Sequence, residues 1–306
     1  MTTYLLDASL YIFRAYHARG PEWSDAQGWP THAVHGFTTT LLGLIEQAKP
    51  ARLAVCFDES FGRNFRHALY PNYKANREPP TEDLVRQFSY CKDVVEALGF
   101  QALADERFEA DDLIGSLVEK HNVANRNKAD EAGEDLSAAA FNAVIIVSAD
   151  KDLAQLINGN VSQWDYGKNA PYGVQAVIDK HGVHPEQMAQ LQALSGDAVD
   201  NIPGIPGIGP KTAAALMQHF GSLEAVLTRW AEVEFLRIRG AQGVGIKLRE
   251  HAQSARLSYQ LTQVARDAPV PEISELSRKP VDPKRIDVLF DTLGFGGFLR
   301  ARAKRI

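Results

Sequence analysis

A chain of 306 residues, 45% hydrophobic and 23% charged, has enough apolar material for one large core or for a main domain with a smaller partner. This composition excludes a disordered or fibrous chain, and two cysteines, Cys56 and Cys91, give neither a disulfide framework nor a cysteine zinc site. The formal net charge of -5 speaks at first against a polyanionic partner, an inference that depends on where the acids lie.

In chain order, the opening "MTTYLLDASLYIFRAY" lacks the basic region and small-residue cleavage site of a signal peptide. No apolar run reaches the length of a membrane span, so the expectation is a cytoplasmic protein with no membrane partner. Three short apolar runs read as buried strands, and each leads into an aspartate: "YLLD" to Asp7, "LAVCFD" to Asp58 and "AVIIVSAD" to Asp150. Continuous hydrophobicity, with helical patterns such as "GFTTTLLGLIEQA" between the runs, predicts a parallel sheet covered on both faces. In such a sheet the ligand crevice lies at the carboxyl ends of the strands, where these aspartates stand.

A weaker strand, "GFQAL" at 99–103, precedes "ADERFEADDLIGSLVEK", a loop followed by a helix. Residues 122–140, "NVANRNKADEAGEDLSAAA", predict an exposed and partly helical insertion. Beyond about 165 the strand signals fade into helical segments such as "PEQMAQLQALSG" and "PKTAAALMQHFG", and the chain ends in the basic "LRARAKRI". The expected organisation is an α/β catalytic domain over 1–165 and a helical domain over 166–306.

Nine carboxylates fall at strand ends or adjoining helix starts: Asp7, Asp58, Glu109, Asp111, Asp112, Asp150, Asp152, Asp197 and Asp200. Singly, each suits an N-cap, an Asx-turn or a favourable helix-dipole position. Gathered, they raise one another's pKa and cost stability unless a divalent cation neutralises them. Oxygen ligands without histidine or cysteine point to Mg²⁺ or Mn²⁺. Two such ions about 4 Å apart would activate water for phosphodiester hydrolysis. With those nine set aside, the remainder of the 38 acidic residues is outnumbered by the 33 lysines and arginines, which answers the charge objection.

"SFGRNFRHALYPNYKANR" at 60–77 interleaves Arg63, Arg66, Lys74 and Arg77 with Phe61, Phe65, Tyr70 and Tyr73, as suits a single nucleic-acid strand. Phe61 and Phe65 read as core, whereas Lys74 and Arg77 read as phosphate contacts. "IPGIPGIGPKTAAAL" at 202–216 has the shape of a helix-hairpin-helix. Gly204, Gly207 and Gly209 allow backbone N–H groups to approach a phosphate, Pro210 suits a first helical turn, and Lys211 and Thr212 open the helix. It should bind duplex DNA through the backbone without sequence preference.

"LLDAS", "FD" at 57–58, "FEADDLIG", "SADKDLAQL" and "GDAVDNIPGIPGIGPKTA", in this order and spacing, resemble the 5' nuclease domain of bacterial DNA polymerase I and the related flap endonucleases. The resemblance implies a PIN-like fold with a mostly parallel central sheet, a helical arch over about 60–95 and a C-terminal helical DNA-binding domain. It implies a first metal served by Asp7, Asp58, Glu109, Asp111 and Asp112, and a second by Asp150, Asp152, Asp197 and Asp200. Lys74 and Arg77 match the arch pattern whose basic residues steer the scissile phosphate, with Arg63, Arg66 and Tyr73 beside them, and a potassium ion is implied at the hairpin. No polymerase domain follows in the chain, so the expectation is a free-standing, monomeric 5'-3' exonuclease and flap endonuclease. Its implied substrates are DNA with a 5' flap or a 5' end on duplex, and RNA–DNA primer junctions. A non-catalytic junction binder has no use for all nine acids, and a PIN-type ribonuclease has little use for the duplex-binding hairpin.

Overall fold

The computed structural model describes residues 1–18, 23–59, 64–132 and 143–306. Strand β1 (Thr2–Asp7) pairs in parallel with β2 (Arg52–Asp58) on one side and with β4 (Ala143–Val147) on the other. Strand β3 (Gln101–Asp105) extends the sheet beyond β2 and β5 (Val161–Trp164) beyond β4, both in parallel, giving the order β3-β2-β1-β4-β5. The chain therefore leaves β1 towards one edge and returns to the other. This reversal opens a crevice at the carboxyl ends of the central strands, where β1 ends in Asp7 and β2 in Asp58.

The apolar runs are continuous because both faces are covered. Successive side chains alternate: Leu6, Leu53, Val55 and Phe57 enter one core, while Leu5, Ala54, Cys56, Val144 and Ile146 enter another. Helices α1 (Ala8–Tyr16) and α2 (His32–Ala48) line the first face; the short α3 (Phe65–Leu69) and then α4 (Glu82–Ala97) follow β2. Helix α5 (Ala110–Ala132) lines the second face through Leu113, Ile114, Leu117 and Val118. A separate core spanning residues 154–255 is built mainly by α6 (Val174–His181), α7 (Met188–Ser195), α8 (Pro210–Phe220), α9 (Leu223–Thr228) and α10 (Ala241–Glu250), and α11 (Ala252–Thr262) closes it with Ala255.

The expectations for local organisation need three corrections. The cores do not divide at 165: after α11 the chain returns to the sheet. Val264, Val270, Ile273 and Leu276 pack on its second face. Helices α12 (Pro283–Thr292) and α13 (Gly297–Ala303) pack on the first, through Ile286, Phe290 and Leu299. The arch expected over 60–95 is not a continuous helix among the described residues. Turns around Pro71, Pro79 and Pro80 interrupt it, and from Glu82 onward α4 is a core helix burying Leu84, Phe88, Cys91 and Val95. Of the insertion expected at 122–140, the first part prolongs α5 to Ala132, and 133–142 lie outside the described residues. Strand β5, which the sequence pattern did not single out, is four residues long and carries a serine and a glutamine. No helix among the described residues is long and apolar enough to cross a membrane.

Candidate active site: a divided carboxylate cluster

The strand ends and the start of α5 place Asp7, Asp58, Asp111 and Asp150 in one another's field. Asp7 caps α1, accepting the Leu10 N–H at 3.3 Å and the Ser148 hydroxyl at 2.9 Å. Asp58 accepts the Ala110 N–H at 2.7 Å, which ties β2 to the first turn of α5. The Asp150 N–H donates to Ser148 Oγ at 3.0 Å, so one serine fixes both Asp7 and Asp150. Burial, then the fields of Asp58 and Asp150, push the Asp7 carboxyl up to about 7. Burial, then Asp150, Asp7 and Asp58, hold Asp111 well above the ordinary carboxylate range, and burial followed by Glu109 raises Asp58. Asp152 is likewise pushed up to about 7, by burial and then Asp150. These carboxyls act on one another through the field and not by contact. As the side chains stand, no three acidic, histidine or cysteine groups among the described residues converge closely enough to hold an ion.

The remaining acids are held by protein cations. Glu109 accepts from Lys74 Nζ at 2.6 Å, Asn64 Nδ2 at 2.6 Å and the Tyr73 hydroxyl at 3.0 Å. Burial works to raise its pKa, but Lys74 and Arg66 outweigh burial and hold the carboxyl below its ordinary range. Asp200 pairs with Arg77 Nη2 at 2.5 Å and accepts from the Tyr73 hydroxyl at 3.2 Å. Asp197 pairs with Lys151 and accepts the Val199 N–H at 2.9 Å, while Asp152 accepts from the Gln192 amide.

Asp112 does not join the cluster. It is fully buried, and each oxygen already accepts twice: Oδ2 from Arg66 Nη1 at 2.7 Å and the Glu109 N–H at 3.0 Å, Oδ1 from Arg66 Nη2 at 2.8 Å and the Ala265 N–H at 2.8 Å. No lone pair faces the crevice, so the expected place of Asp112 among first-metal ligands is corrected to a structural one.

The same geometry corrects the expectation of a DNA contact at Arg66, whereas Tyr73, though nearly buried, lines the cleft that Lys74 and Arg77 border. Arg66 is 3% exposed and spends its remaining donors on the Leu261 and Gln263 carbonyls at the end of α11. Tyr73 is 2% exposed, packed with Ile202 and Leu261. Arg63 lies outside the described residues.

Lys74 and Arg77 do face open space. They border a cleft of 530 Å³ with Asp58 and Glu109, and Phe13, Tyr16, Pro79 and Phe88 line it as well. Two loops are zipped together beneath them: the Lys74 N–H donates to the Asp200 carbonyl at 2.9 Å, Asn76 to the Ala198 carbonyl at 2.8 Å and Asn201 to the Asn72 carbonyl at 2.7 Å. Lys74 and Asn201 adopt left-handed backbone, φ 53° and 55°, a conformation costing an L residue about 1–2 kcal/mol that these bonds offset.

The hairpin follows directly. Ile205 and Ile208 anchor it in the helical core, and Gly209 precedes Pro210 with no side-chain cap on α8, so the first N–H groups of that helix face solvent. Gly207, Gly209 and Lys211 are exposed and Thr212 half-buried, whereas Gly204 is buried and so is not a surface contact. Gly204 has φ +60°, and a Cβ there would meet Gly196 N at 2.2 Å. Gly204→Ala is therefore expected to cost about 3 kcal/mol, read as a lower chemical-denaturation midpoint. Sequence reasoning missed Lys247, whose Nζ lies against Gly207 so closely that a Cβ would stand 2.6 Å from it.

Comparison with known proteins decides the family. Residues 2–182 match the model of the 5'-3' exonuclease N-terminal resolvase-like domain and 183–284 that of the 5'-3' exonuclease C-terminal SAM fold. The chain belongs to the 5'-3' exonuclease family. It is 31% identical over 271 residues to the 5'-3' exonuclease of Buchnera aphidicola, covering 89% of this chain and 88% of that one. DNA polymerase I of Rhizobium leguminosarum is 37% identical over 309 residues, which are 98% of this chain but 28% of the polymerase. The chain thus spans less than a third of the length of that polymerase. In fold it is similar to T5 5'-exonuclease bound to zinc, with a TM-score of 0.64 at 20% identity and coverage of 100% and 97%. It is also similar to the catalytic core of Rad2 in complex with DNA substrate, with a TM-score of 0.61 at 15% identity and coverage of 98% and 90%.

Proposed function

We propose that this member of the 5'-3' exonuclease family hydrolyses DNA phosphodiester bonds at 5' ends and at the base of 5' flaps, with Mg²⁺ as its ion and Mn²⁺ able to substitute. The observation that carries the reading is the division of the acids. Burial and the fields of Asp58 and Asp150 raise Asp7 and Asp111, burial and Glu109 raise Asp58, and Asp58 borders the cleft that Lys74 and Arg77 line. An all-oxygen set that repels itself fits a hard divalent cation. In this reading Asp7, Asp58, Asp111 and Asp150, with Glu109 beside them, hold a first ion, and Asp152, Asp197 and Asp200 a second. When bound, such ions supply an acidified water and charge for the leaving oxygen.

The chain's own residues do the rest. Lys74 and Arg77 orient the scissile phosphate from the cleft wall, and the aromatic rings that line the cleft beside these cations suit a single strand. The start of α8, with Lys211 and Lys247, grips the duplex backbone, and a K⁺ ion at the hairpin belongs to the same reading. The chain acts as a monomer, on DNA flaps or on RNA–DNA primer junctions.

The test is cleavage of a labelled 5'-flap duplex with Mg²⁺, with EDTA and by Asp111→Asn. Cutting near the junction should need the ion and fail in the variant. Tight flap binding without cutting under Mg²⁺ and Mn²⁺ would replace the nuclease reading with that of a junction binder. Lys211→Ala with Lys247→Ala is expected to weaken duplex binding and lower the salt slope by about two. Cleavage at saturating substrate should stay near its original rate.

A further inference from the structure

The motif "SADKDL" brings Asp150 and Asp152 to the site, but its lysine has so far no part in the mechanism. Lys151 ion-pairs with Asp197, and its Nζ stands 3.5 Å from Asp152 Oδ1. Those two acids come from different units: Asp152 opens the 3-10 turn after β4, and Asp197 lies in the loop after α7. The ammonium thus bridges the sheet to the helical unit at the place assigned above to the second ion. The acids are walled in, with side chains 5% exposed at Asp197 and 17% at Asp152, whereas the lysine side chain is 42% exposed and reaches them from the solvent side.

The contrast with the first group is one of charge balance. Around the first place Asp7, Asp58 and Asp111 have no ammonium or guanidinium among their ion pairs within the described residues, and only Glu109 beside them is paired, with Lys74 and Arg66, whereas Asp197 and Asp200 are each paired, with Lys151 and Arg77. A divalent ion entering among Asp152, Asp197 and Asp200 must therefore take over carboxylates that already have a cation. Lysine suits this exchange, because its ammonium is a point charge on a flexible stem that can swing into water at small cost.

We propose that Lys151 is a tethered counter-ion: it holds the second cation place in the metal-free protein, and a divalent ion binds there only by displacing it. This rests on the reading that Asp152 and Asp197 ligate an ion. Its consequence is unequal occupancy, with a first ion bound tightly and a second in competition with the protein's own lysine.

The experiment is calorimetric titration of the full chain with Mn²⁺ alone, without nucleic acid, for the unaltered protein, Lys151→Met and Lys151→Arg. The unaltered protein and Lys151→Arg should show a tighter step and a weaker or unmeasurable one. In Lys151→Met the weaker step should tighten by about tenfold or more while the tighter one moves far less, because a unit charge a few ångströms away acts mainly on its own neighbours. An unchanged weaker step in Lys151→Met would overturn the proposal. Equal tightening of both steps would also overturn it, by showing a diffuse field effect. Absence of Mn²⁺ binding in every variant would remove the two-ion reading itself and the lysine's role with it.

Discussion

Replacing Asp7 with asparagine is expected to lower cleavage by at least about a thousandfold and, in chelator at pH 8, to make the protein more stable. The two effects share one cause. Burial and the fields of Asp58 and Asp150 push the Asp7 carboxyl from 3.8 up to about 7, so its ionised form is costly in the folded state. The sign follows from proton binding: between pH 3.8 and about 7 the folded carboxyl keeps a proton that the unfolded one has lost, so stability falls as pH rises through that window and stays low above it. Asparagine removes the charge at little steric cost. Its carbonyl oxygen can still accept from the Leu10 N–H, and its amide can donate to Ser148 Oγ, which accepts as well as donates. The expected gain at pH 8 is about 2 kcal/mol or more, vanishing near pH 4. Denaturation of both proteins in EDTA across this range would measure it, and a variant less stable than the parent at pH 8 would show that something in the protein already neutralises Asp7.

How far the sequence leads is best seen at particular residues. Asp7 and Asp58 are legible as strand-end residues because a parallel sheet has one carboxyl edge and each apolar run ends at it, so position follows from topology without knowledge of any contact. Strand β5 is hard to read because "VSQW" is short and half polar, and its membership in the sheet depends on β4 beside it. Pairing was the illegible part. Arg66 sits in "GRNFRHALY", among exposed-looking cations and aromatics, yet its partner Asp112 is 46 residues away and its carbonyl acceptors nearly 200 away. Nothing local distinguishes an arginine that is to be buried from one that is to meet a phosphate. Lys247 carries a local signal: "GVGIK" at 243–247 repeats the Gly-x-Gly-x-Lys pattern of "GIGPK" at 207–211, although the second copy lies within α10.

Arg66→Ala is expected to destabilise the protein by about 3–5 kcal/mol, the usual cost of stripping one partner from a buried ion pair. For a chain of this size that is a melting temperature lower by roughly 5–10 °C. The loss has four parts, the first being the buried ion pair with Glu109 at 3.5 Å. Asp112, fully buried, is left as a charge with only backbone donors. The Leu261 and Gln263 carbonyls, where α11 hands the chain back to the sheet, lose the donor that joins the helical unit to α3 and α5. The cation over Phe65, 4.5 Å from its ring centre, is also removed. Adding Asp112→Ala should recover part of the deficit, since the double variant no longer buries an unpaired carboxylate, and a double-mutant cycle would give a coupling well above that of a surface pair. Melting curves and flap-binding isotherms of the same samples separate this from a phosphate contact. Unchanged stability with weaker DNA binding in Arg66→Ala would return Arg66 to the DNA interface, whereas a large stability loss that Asp112→Ala partly reverses places it where the structure does, beneath the site and between the two units.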